Sequence, residues 1–317
     1  MAWNAKPSPG GPIGLAAALV VLTLDGALLV LLLRRPITLL SFVLALLVVL
    51  SLPLLALLGY WLYGFYRLRY LLDRNGLTIV WAATRWIVPL PRIVQVVRGE
   101  TVEGEVKIRG VSWPGLYVGY GDLPGIGETL FCATRPLVDQ LLLMTEPPPI
   151  ERRSPATGGE RVRQMTPARA YAISPADLDG FLADLELRRR LGPLKALAEE
   201  THRARWLTLP IWTDRVAHLL LALGAVANAL LFAHLCWRYP ALPSLLPLHF
   251  DALGQPDRIG LRAEVFKLPA IGLAILVTNF ALGLFLHGRE RLAAYLLFAA
   301  VLVVQILLGV ALFNIVH

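Results

Sequence analysis

The membrane character of the chain is clearest in residues 13–63, which read IGLAAALVVLTLDGALLVLLLRRPITLLSFVLALLVVLSLPLLALLGYWLY. A helix needs about 20 mostly apolar residues to cross a bilayer. This stretch contains two such runs, Ile13–Leu33 and Ile37–Tyr63, and only residues 34–36 separate them. Pro53 interrupts the second run, so we expect a kink there. The pattern predicts two transmembrane helices that form a hairpin.

Three more apolar runs of spanning length follow, Val216–Trp237, Leu268–Leu286 and Leu292–Val316. The whole chain is 56% hydrophobic and 16% charged, whereas soluble domains are about 45–50% apolar and about 25% charged. This composition excludes a disordered or disulfide-stapled chain and predicts an α-helical polytopic membrane protein with five transmembrane helices. No small-residue cleavage site follows the first run, so we expect an uncleaved anchor and not a signal peptide.

A polar, strand-rich region is inserted between the second and third runs. Residues 67–205 hold 20 of the 30 basic and 16 of the 22 acidic residues, which predicts a water-exposed domain. Asn75-Gly76 between two apolar runs predicts a type I′ hairpin, whose two central residues need positive φ. Ser174 and Pro175 are expected to cap and open a single helix that ends at Gly192-Pro193. The expected strands are 69–72, 77–82, 86–90, 106–109, 116–120, 129–133, 138–144 and 169–173.

Three segments of this region carry a family resemblance. YLLDRNGLTIVW (70–81), VPLPRIVQVV (88–97) and YAISPADLDGFLADL (171–185) resemble the opening and the closing parts of bacterial PH-like domains. The resemblance covers about residues 67–190 and implies a small barrel closed by one C-terminal helix. It also implies a scaffold for protein or lipid contact, not for catalysis.

Arginine-rich stretches within this region allow two interpretations. The Pro- and Gly-rich insertion 145–167 is either a solvated loop or an arm that contacts a partner or lipid. The end of the predicted helix is either a solvated terminus favoured by the helix dipole or a lipid headgroup site. The basic residues concerned are Arg152, Arg153, Arg161 and Arg163 in the insertion and Arg188, Arg189 and Arg190 in the helix.

The most specific motif, LLPLHFDALGQPDRIGLRAEVFKLP (245–269), leads directly into the fourth apolar run. It resembles the loop Pro-x-His-[Phe/Trp]-[Asp/Asn]-x-x-Gly-x-Pro-Asp of the Sdp toxin immunity proteins, integral membrane proteins that protect against a secreted peptide toxin. The resemblance covers about residues 214–317 and implies a role in immunity or toxin-linked signalling. The matching residues are Pro247, His249, Phe250, Asp251, Gly254, Pro256 and Asp257.

The chemistry of this loop leaves three interpretations open. It is a structural loop with internal hydrogen bonds, in which Gly254 permits a tight turn and Asp257 caps the backbone or pairs with Arg258. Alternatively, it is a surface that recognises a partner. The third interpretation is a weak metal or proton site at His249, Asp251 and Asp257.

Polar residues also occur inside the predicted spans. Asp25 lies near the middle of the first run, where an ionisable group is costly and normally faces a partner or a cavity. It either lies on a proton or ion path or at a recognition contact, or it fixes helix packing through a hydrogen bond. Its candidate partners are His218, Asn228, His234, Asn279, Gln305 and Asn314.

The expected organisation is a two-helix hairpin (1–66), a PH-like domain (67–206) and a three-helix module (207–317) with a loop at 238–267. Nine basic residues flank the spans on the side of the PH-like domain and six on the other side. By the positive-inside rule, this difference places the PH-like domain in the cytoplasm and the motif loop outside the bacterial cytoplasmic membrane.

The sequence contains no catalytic motif of the P-loop, dinucleotide, zinc-protease or serine-hydrolase type. We therefore expect a non-enzymatic interaction protein that needs no cofactor. Its expected partners are membrane lipids and a protein, either a peptide toxin or a larger membrane complex, and not nucleic acid. Two other hypotheses are an ion- or proton-coupled transporter using Asp25 and a metal-dependent enzyme at the motif loop.

Overall fold

The structure is a computed structural model that describes residues 1–102, 106–146, 170–250 and 255–317. Within these ranges, five helices are long and apolar enough to cross a membrane, and each coincides with one apolar run of the sequence. A shorter helix, α3, belongs to the β-rich region between them. The bounds are α1 Gly10–Leu33, α2 Leu39–Arg67, α3 Leu178–Leu191, α4 Arg215–Arg238, α5 Lys267–His287 and α6 Arg291–Val316. The predicted fold class, a five-helix membrane protein with an inserted β domain, is confirmed.

The chain divides into two compact units, residues 1–21 with 53–204 and residues 22–52 with 205–317. The first unit contains the β domain, built from two sheets with strand orders β1-β2-β3-β4-β11 and β5-β9-β10-β8-β7-β6. Its strands are β1 Ala2–Asn4, β2 Arg69–Leu72, β3 Gly76–Trp81, β4 Thr84–Pro89, β5 Ile93–Arg98, β6 Arg109–Trp113, β7 Leu116–Leu123, β8 Gly127–Ala133, β9 Leu141–Thr145, β10 Ala170–Ile173 and β11 Glu200–Arg203.

Large apolar side chains fill the core of the β domain. Tyr70, Leu77, Ile79 and Leu141 are fully buried, and Phe181 of α3 joins them. Burying one such side chain contributes about 1.5–3 kcal/mol. The helix therefore closes the barrel as the resemblance to PH-like domains implied.

The N-terminal residues contribute a strand that the sequence did not reveal. The prediction assigned residues 1–66 to the membrane hairpin, but Ala2–Asn4 pair antiparallel with β2 as strand β1. The ring of Trp3 packs edge-on against Phe181 with 5.8 Å between centroids, and its indole nitrogen donates to Asp184. A three-residue strand is too short for an alternating pattern to identify it.

The start of α3 differs from the prediction. Asp177, not Ser174, caps the helix, and its side chain accepts a hydrogen bond from the backbone nitrogen of Gly180. Ser174 is fully buried instead, and its hydroxyl accepts from the backbone nitrogen of Thr134. The end of the helix is as predicted, because Gly192 lies there with a φ of 70°.

The β2–β3 turn forms at the predicted place but not with the predicted geometry. Neither Asn75 nor Gly76 has positive φ. Instead, Asp73 Oδ1 accepts hydrogen bonds from both of their backbone nitrogens. Gly76 is needed for close approach, since a Cβ there would lie 2.9 Å from the carbonyl oxygen of Val88. The expected strand 106–109 also starts later, at Arg109, and strands β5 and β11 were not predicted.

The β domain contacts the ends of α1 and α2 through aromatic rings and glycines. Tyr60 packs edge-on against Trp81, and Trp61 packs against Trp113, with 5.6 Å and 5.3 Å between ring centroids. A Cβ on Gly10 would lie 2.4 Å from the carbonyl oxygen of residue 115. These contacts join the β domain to the adjoining ends of α1 and α2.

The second unit contains the three-helix module formed by α4, α5 and α6. Small residues allow these helices to approach closely, as is usual in membranes. A Cβ on Gly283 would lie 2.2 Å from the ring of Phe298, and one on Gly224 would lie 3.1 Å from Val301. A two-stranded hairpin, β12 Leu245–Phe250 and β13 Pro256–Leu261, connects α4 to α5.

A buried tyrosine hydroxyl tests the packing of the β domain. Tyr70 donates to the carbonyl oxygen of Cys132 (2.7 Å) and accepts from the backbone nitrogen of Ser174 (3.1 Å). Tyr70→Phe leaves both groups without this partner, so we expect a loss of about 1–3 kcal/mol in unfolding free energy. Hydrogen exchange of the slowest amides in β8 and β10 measures it. The control is Tyr117→Phe, since the Tyr117 hydroxyl makes no hydrogen bond in the described part of the chain; equal losses in the two variants would contradict the prediction.

Candidate functional site

The motif loop forms the β12–β13 hairpin at the end of α4. Leu245 pairs with Leu261 and Pro247 with Ile259, but the register shifts before His249 pairs with Arg258. Pro247 has no N–H to donate, so a regular ladder cannot continue through it. The irregularity brings the side chains of His249 and Asp257 together at the far end of the hairpin.

His249 and Asp257 form the clearest polar pair of the motif. His249 Nδ1 lies 2.7 Å from Asp257 Oδ1, and the two side chains are 67% and 48% exposed. A pair this exposed contributes little to stability, because water solvates both groups well when they separate. The His249 imidazole and the Asp257 carboxylate are therefore accessible to solvent and do not lie in a buried cavity.

The base of the hairpin is anchored in the three-helix module. Leu246 is buried with Leu235 of α4 and Leu312 of α6. The guanidinium of Arg262 lies 4.7 Å above the Tyr239 ring and donates to the carbonyl oxygen of Leu242 at 3.2 Å. The hairpin is thus fixed at its base and exposed along β13, whose residues from Pro256 to Ile259 are all exposed.

The structure describes only some of the other predicted motif residues. Asp251 and Gly254 lie outside the described residues, as does the side chain of Phe250. Pro256 and Arg258 are exposed, and the guanidinium of Arg258 lies 3.4 Å from Glu264. Among the described residues, no group of three or more His, Cys, Asp or Glu side chains is arranged to hold a metal ion.

Two of the predicted intramembrane amides, Asn228 and Gln305, form a buried cluster. Asn228 Nδ2 donates to Gln305 Oε1 (3.1 Å) and to the carbonyl oxygen of Pro269 (3.0 Å), while Gln305 Nε2 donates to the carbonyl oxygen of Gly272 (2.9 Å). The cluster joins α4, α5 and α6, so these two amides crosslink the three helices. In this structure their bonds are to protein groups, which is how polar residues hold membrane helices together.

The other predicted intramembrane residues lie apart from this cluster. The Asp25 carboxylate is buried, and the Ser51 hydroxyl of α2 lies 2.6 Å from its Oδ2. His218 is exposed, whereas Asn279 is half-buried. His234 is half-buried and its ring stacks on that of His317 with 5.6 Å between centroids.

A second polar cluster was missed from the sequence. Asp214 caps α4 by accepting from the backbone nitrogens of Val216 and Ala217 through Oδ1. Its Oδ2 accepts from Tyr295 of α6 and lies 2.8 Å from Nε2 of His287 in α5. Burial favours the neutral carboxyl, but the hydrogen bonds from Tyr295, Ala217, His287 and Val216 outweigh it and lower the pKa of Asp214 to about 2. An Asp directly before an apolar run was the available signal for the cap.

The predicted basic residues are placed only in part. Arg152, Arg153, Arg161 and Arg163 lie outside the described residues. Arg188 pairs with Asp184 and Arg190 with Glu186, each four residues earlier on α3. Arg189 is exposed.

Comparison with known proteins identifies two regions of the chain. Residues 68–148 match the family model of a bacterial PH domain, and residues 226–273 match that of a domain of unknown function, DUF1648. An uncharacterized protein of Archaeoglobus fulgidus is 46% identical over 52 residues, which are 16% of this chain and 28% of that relative. No solved structure matches. Neither family description names toxin immunity, so that assignment stays a prediction.

The amide cluster requires a glycine on α5. A Cβ at Gly272 would lie 2.6 Å from Gln305 Oε1 and 2.8 Å from Asn228 Nδ2. Gly272→Ala is expected to separate the amides and to destabilise the module by about 1–3 kcal/mol, measured by thermal unfolding in detergent. Gly26→Ala is the control, because a Cβ there meets nothing within 4 Å. The prediction fails if the two variants melt alike.

The Asp214 cluster predicts a specific pH dependence. The carboxyl has a pKa of about 2 in the folded chain and an ordinary value of 3.8, so ionisation stabilises the fold above about pH 4. This stabilisation disappears as the pH falls through the folded pKa. Asp214→Asn is expected to lose about 1–3 kcal/mol at neutral pH, and the difference from the native chain is expected to shrink below about pH 4.

Thermal unfolding in detergent from about pH 8 to pH 2 measures this difference. Glu290→Gln is the control, since Glu290 is an exposed acid in the turn between α5 and α6. A difference between Asp214→Asn and the native chain that stays constant down to the lowest pH would refute the role of the ionised carboxylate.

Proposed function

We propose that this chain is a non-enzymatic interaction protein of the bacterial cytoplasmic membrane that binds a protein partner through the β12–β13 hairpin. It is a membrane protein with a PH-like domain and a DUF1648 domain. The observation that supports the proposal best is the His249–Asp257 pair, which is exposed to solvent on a hairpin that is anchored at its base. A fixed and exposed pair of this kind favours recognition by another molecule.

The topology proposed for this function is supported by the pairing of β1 with β2 and by the basic residues near the spans. Pairing of β1 with β2 requires the residues before α1 to lie on the same side as the β domain, which two membrane crossings provide. The excess of basic residues near the spans then favours a cytoplasmic β domain. In this topology one further crossing, by α4, leads to the hairpin on the outer side, where a secreted peptide or the outer face of another membrane protein is accessible.

The surface of the hairpin favours a protein partner. Both edges of a two-stranded sheet carry backbone groups that pair readily with an added strand. Beside the motif pair, the side chains of Ile259 and Leu261 are 66% and 59% exposed. The motif resemblance makes a peptide toxin the first candidate, and a subunit of a larger membrane complex the second. The PH-like domain adds a cytoplasmic surface for a protein or for membrane lipids.

Extraction of the native complex tests the proposal. We expect that gentle detergent extraction followed by mass spectrometry recovers a protein at a fixed ratio to this chain. Combined substitution of His249→Ala and Asp257→Asn should reduce that ratio about tenfold, as expected when about 1.4 kcal/mol of binding free energy is lost.

A second exposed pair in the chain is a matched control. His202 lies 3.1 Å from Glu200, with side chains that are 59% and 54% exposed. His202→Ala with Glu200→Gln should leave the ratio unchanged, so equal loss in both double variants would contradict the proposal. Stoichiometric zinc that His249→Ala abolishes would favour the metal-dependent enzyme, and ion flux that Asp25→Asn abolishes would favour the transporter.

A further inference from the structure

The connection between the β domain and α4 contains a segment that we name the strap, residues 193–203. It leaves the end of α3 and has no helix or strand until β11. The side chain of Asn75 accepts hydrogen bonds from the backbone nitrogens of Leu194 and Lys195, both at 2.9 Å. Strand β11 pairs with the edge of β4, and all four of its residues are exposed. The strap is therefore a peripheral segment held by a small set of contacts.

Glu199 lies in the strap directly before β11 and, unlike the residues of β11, has a buried side chain. The side chain of Glu199 is only 7% exposed, and its carboxylate meets two groups of the barrel. The hydroxyl of Tyr171 in β10 donates to Oε1, and Nη1 of Arg92 lies 2.6 Å from Oε2. The buried carboxylate is therefore held by an ion pair with the guanidinium and a hydrogen bond from the phenol.

The two donors belong to the barrel and not to the strap. Arg92 precedes β5, and its Nη2 also donates to the carbonyl oxygen of Glu146 at 2.7 Å. Tyr171 is buried within β10, which pairs with β8 and β9. Burial, with the hydrogen bond to Glu199, raises the pKa of Tyr171, so the phenol stays protonated and remains a donor. Arg92 and Tyr171 are each held in place by other contacts of the β domain. Both side chains would therefore still face one oxyanion position if the strap moved away.

We propose that Arg92 and Tyr171 form an oxyanion-binding site of the β domain, that Glu199 fills it as an internal ligand, and that a competing phosphate group releases the strap. Phosphate suits the site because it offers more charge and more acceptor oxygens to a guanidinium than a carboxylate does. The strap is followed by residues 204–214 and then by α4, so its release frees the chain that leads away from the β domain. The phosphate comes either from solution or from a lipid headgroup.

The internal-ligand role is tested first with Glu199→Gln, which keeps the shape of the side chain but removes its charge. The full chain is reconstituted in phosphatidylcholine nanodiscs, and hydrogen exchange of the β11 amides is measured. We expect exchange to rise about tenfold, as when a local contact worth about 1.4 kcal/mol is lost, while β8 and β10 stay protected. Glu200→Gln is the control, because Glu200 is the neighbouring acid but is 54% exposed. Unchanged β11 exchange in Glu199→Gln would overturn the proposal.

The ligand is tested on the unsubstituted chain. A tethered ligand acts at millimolar effective concentration, so the competitor is about 50 mM inorganic phosphate, compared with chloride at equal ionic strength. In parallel, nanodiscs containing phosphatidate replace those of phosphatidylcholine alone. Faster β11 exchange with inorganic phosphate supports a soluble ligand, and faster exchange only with phosphatidate supports a lipid headgroup. No change in either arm, or an equal change in Arg92→Gln, would overturn the oxyanion site.

Discussion

The hydrocarbon layer of the membrane imposes the constraint on which this architecture depends. Backbone N–H and C=O groups have no water to bond there, so each span must satisfy them internally as a helix. Side-chain amides meet the same requirement, and Asn228 and Gln305 meet it by bonding to each other and to the carbonyl oxygens of Pro269 and Gly272. Open sheet edges cannot lie in lipid. The β domain and the β12–β13 hairpin therefore belong outside the layer.

This constraint explains what the sequence predicts well. The spans are mostly apolar runs of about 20 residues or more, a length and composition that predict membrane helices directly. The PH-like barrel was predicted from its strand pattern and the position of its closing helix, and the match over residues 68–148 supports it. The hairpin motif was found because its residues are close together in the chain.

Contacts between distant residues explain what the sequence does not predict. Asp214 lies more than seventy residues before His287 and Tyr295 and meets them only because α4, α5 and α6 pack together. Strand β1 is recognisable only from its partner β2, more than sixty residues later. Ser174 has the right chemistry for a helix cap, but its burial against Thr134 prevents that role. In each case tertiary packing overrides a local preference.

The β domain is joined to its two neighbours in the chain in different ways. Its contact with α2 consists of packed aromatic rings such as Trp61 on Trp113, which a dissolved ion cannot replace. Its connection toward α4 runs through the strap, held at Glu199 by an ion pair and a hydrogen bond to Tyr171. Ions in solution weaken a contact between charged groups. The packing of aromatic rings is opposed only by the hydration of the separated rings. If a competing anion displaces Glu199 as we propose, it therefore acts on the strap and leaves the packed rings at α2 in place, because those rings carry no charge that an anion can replace.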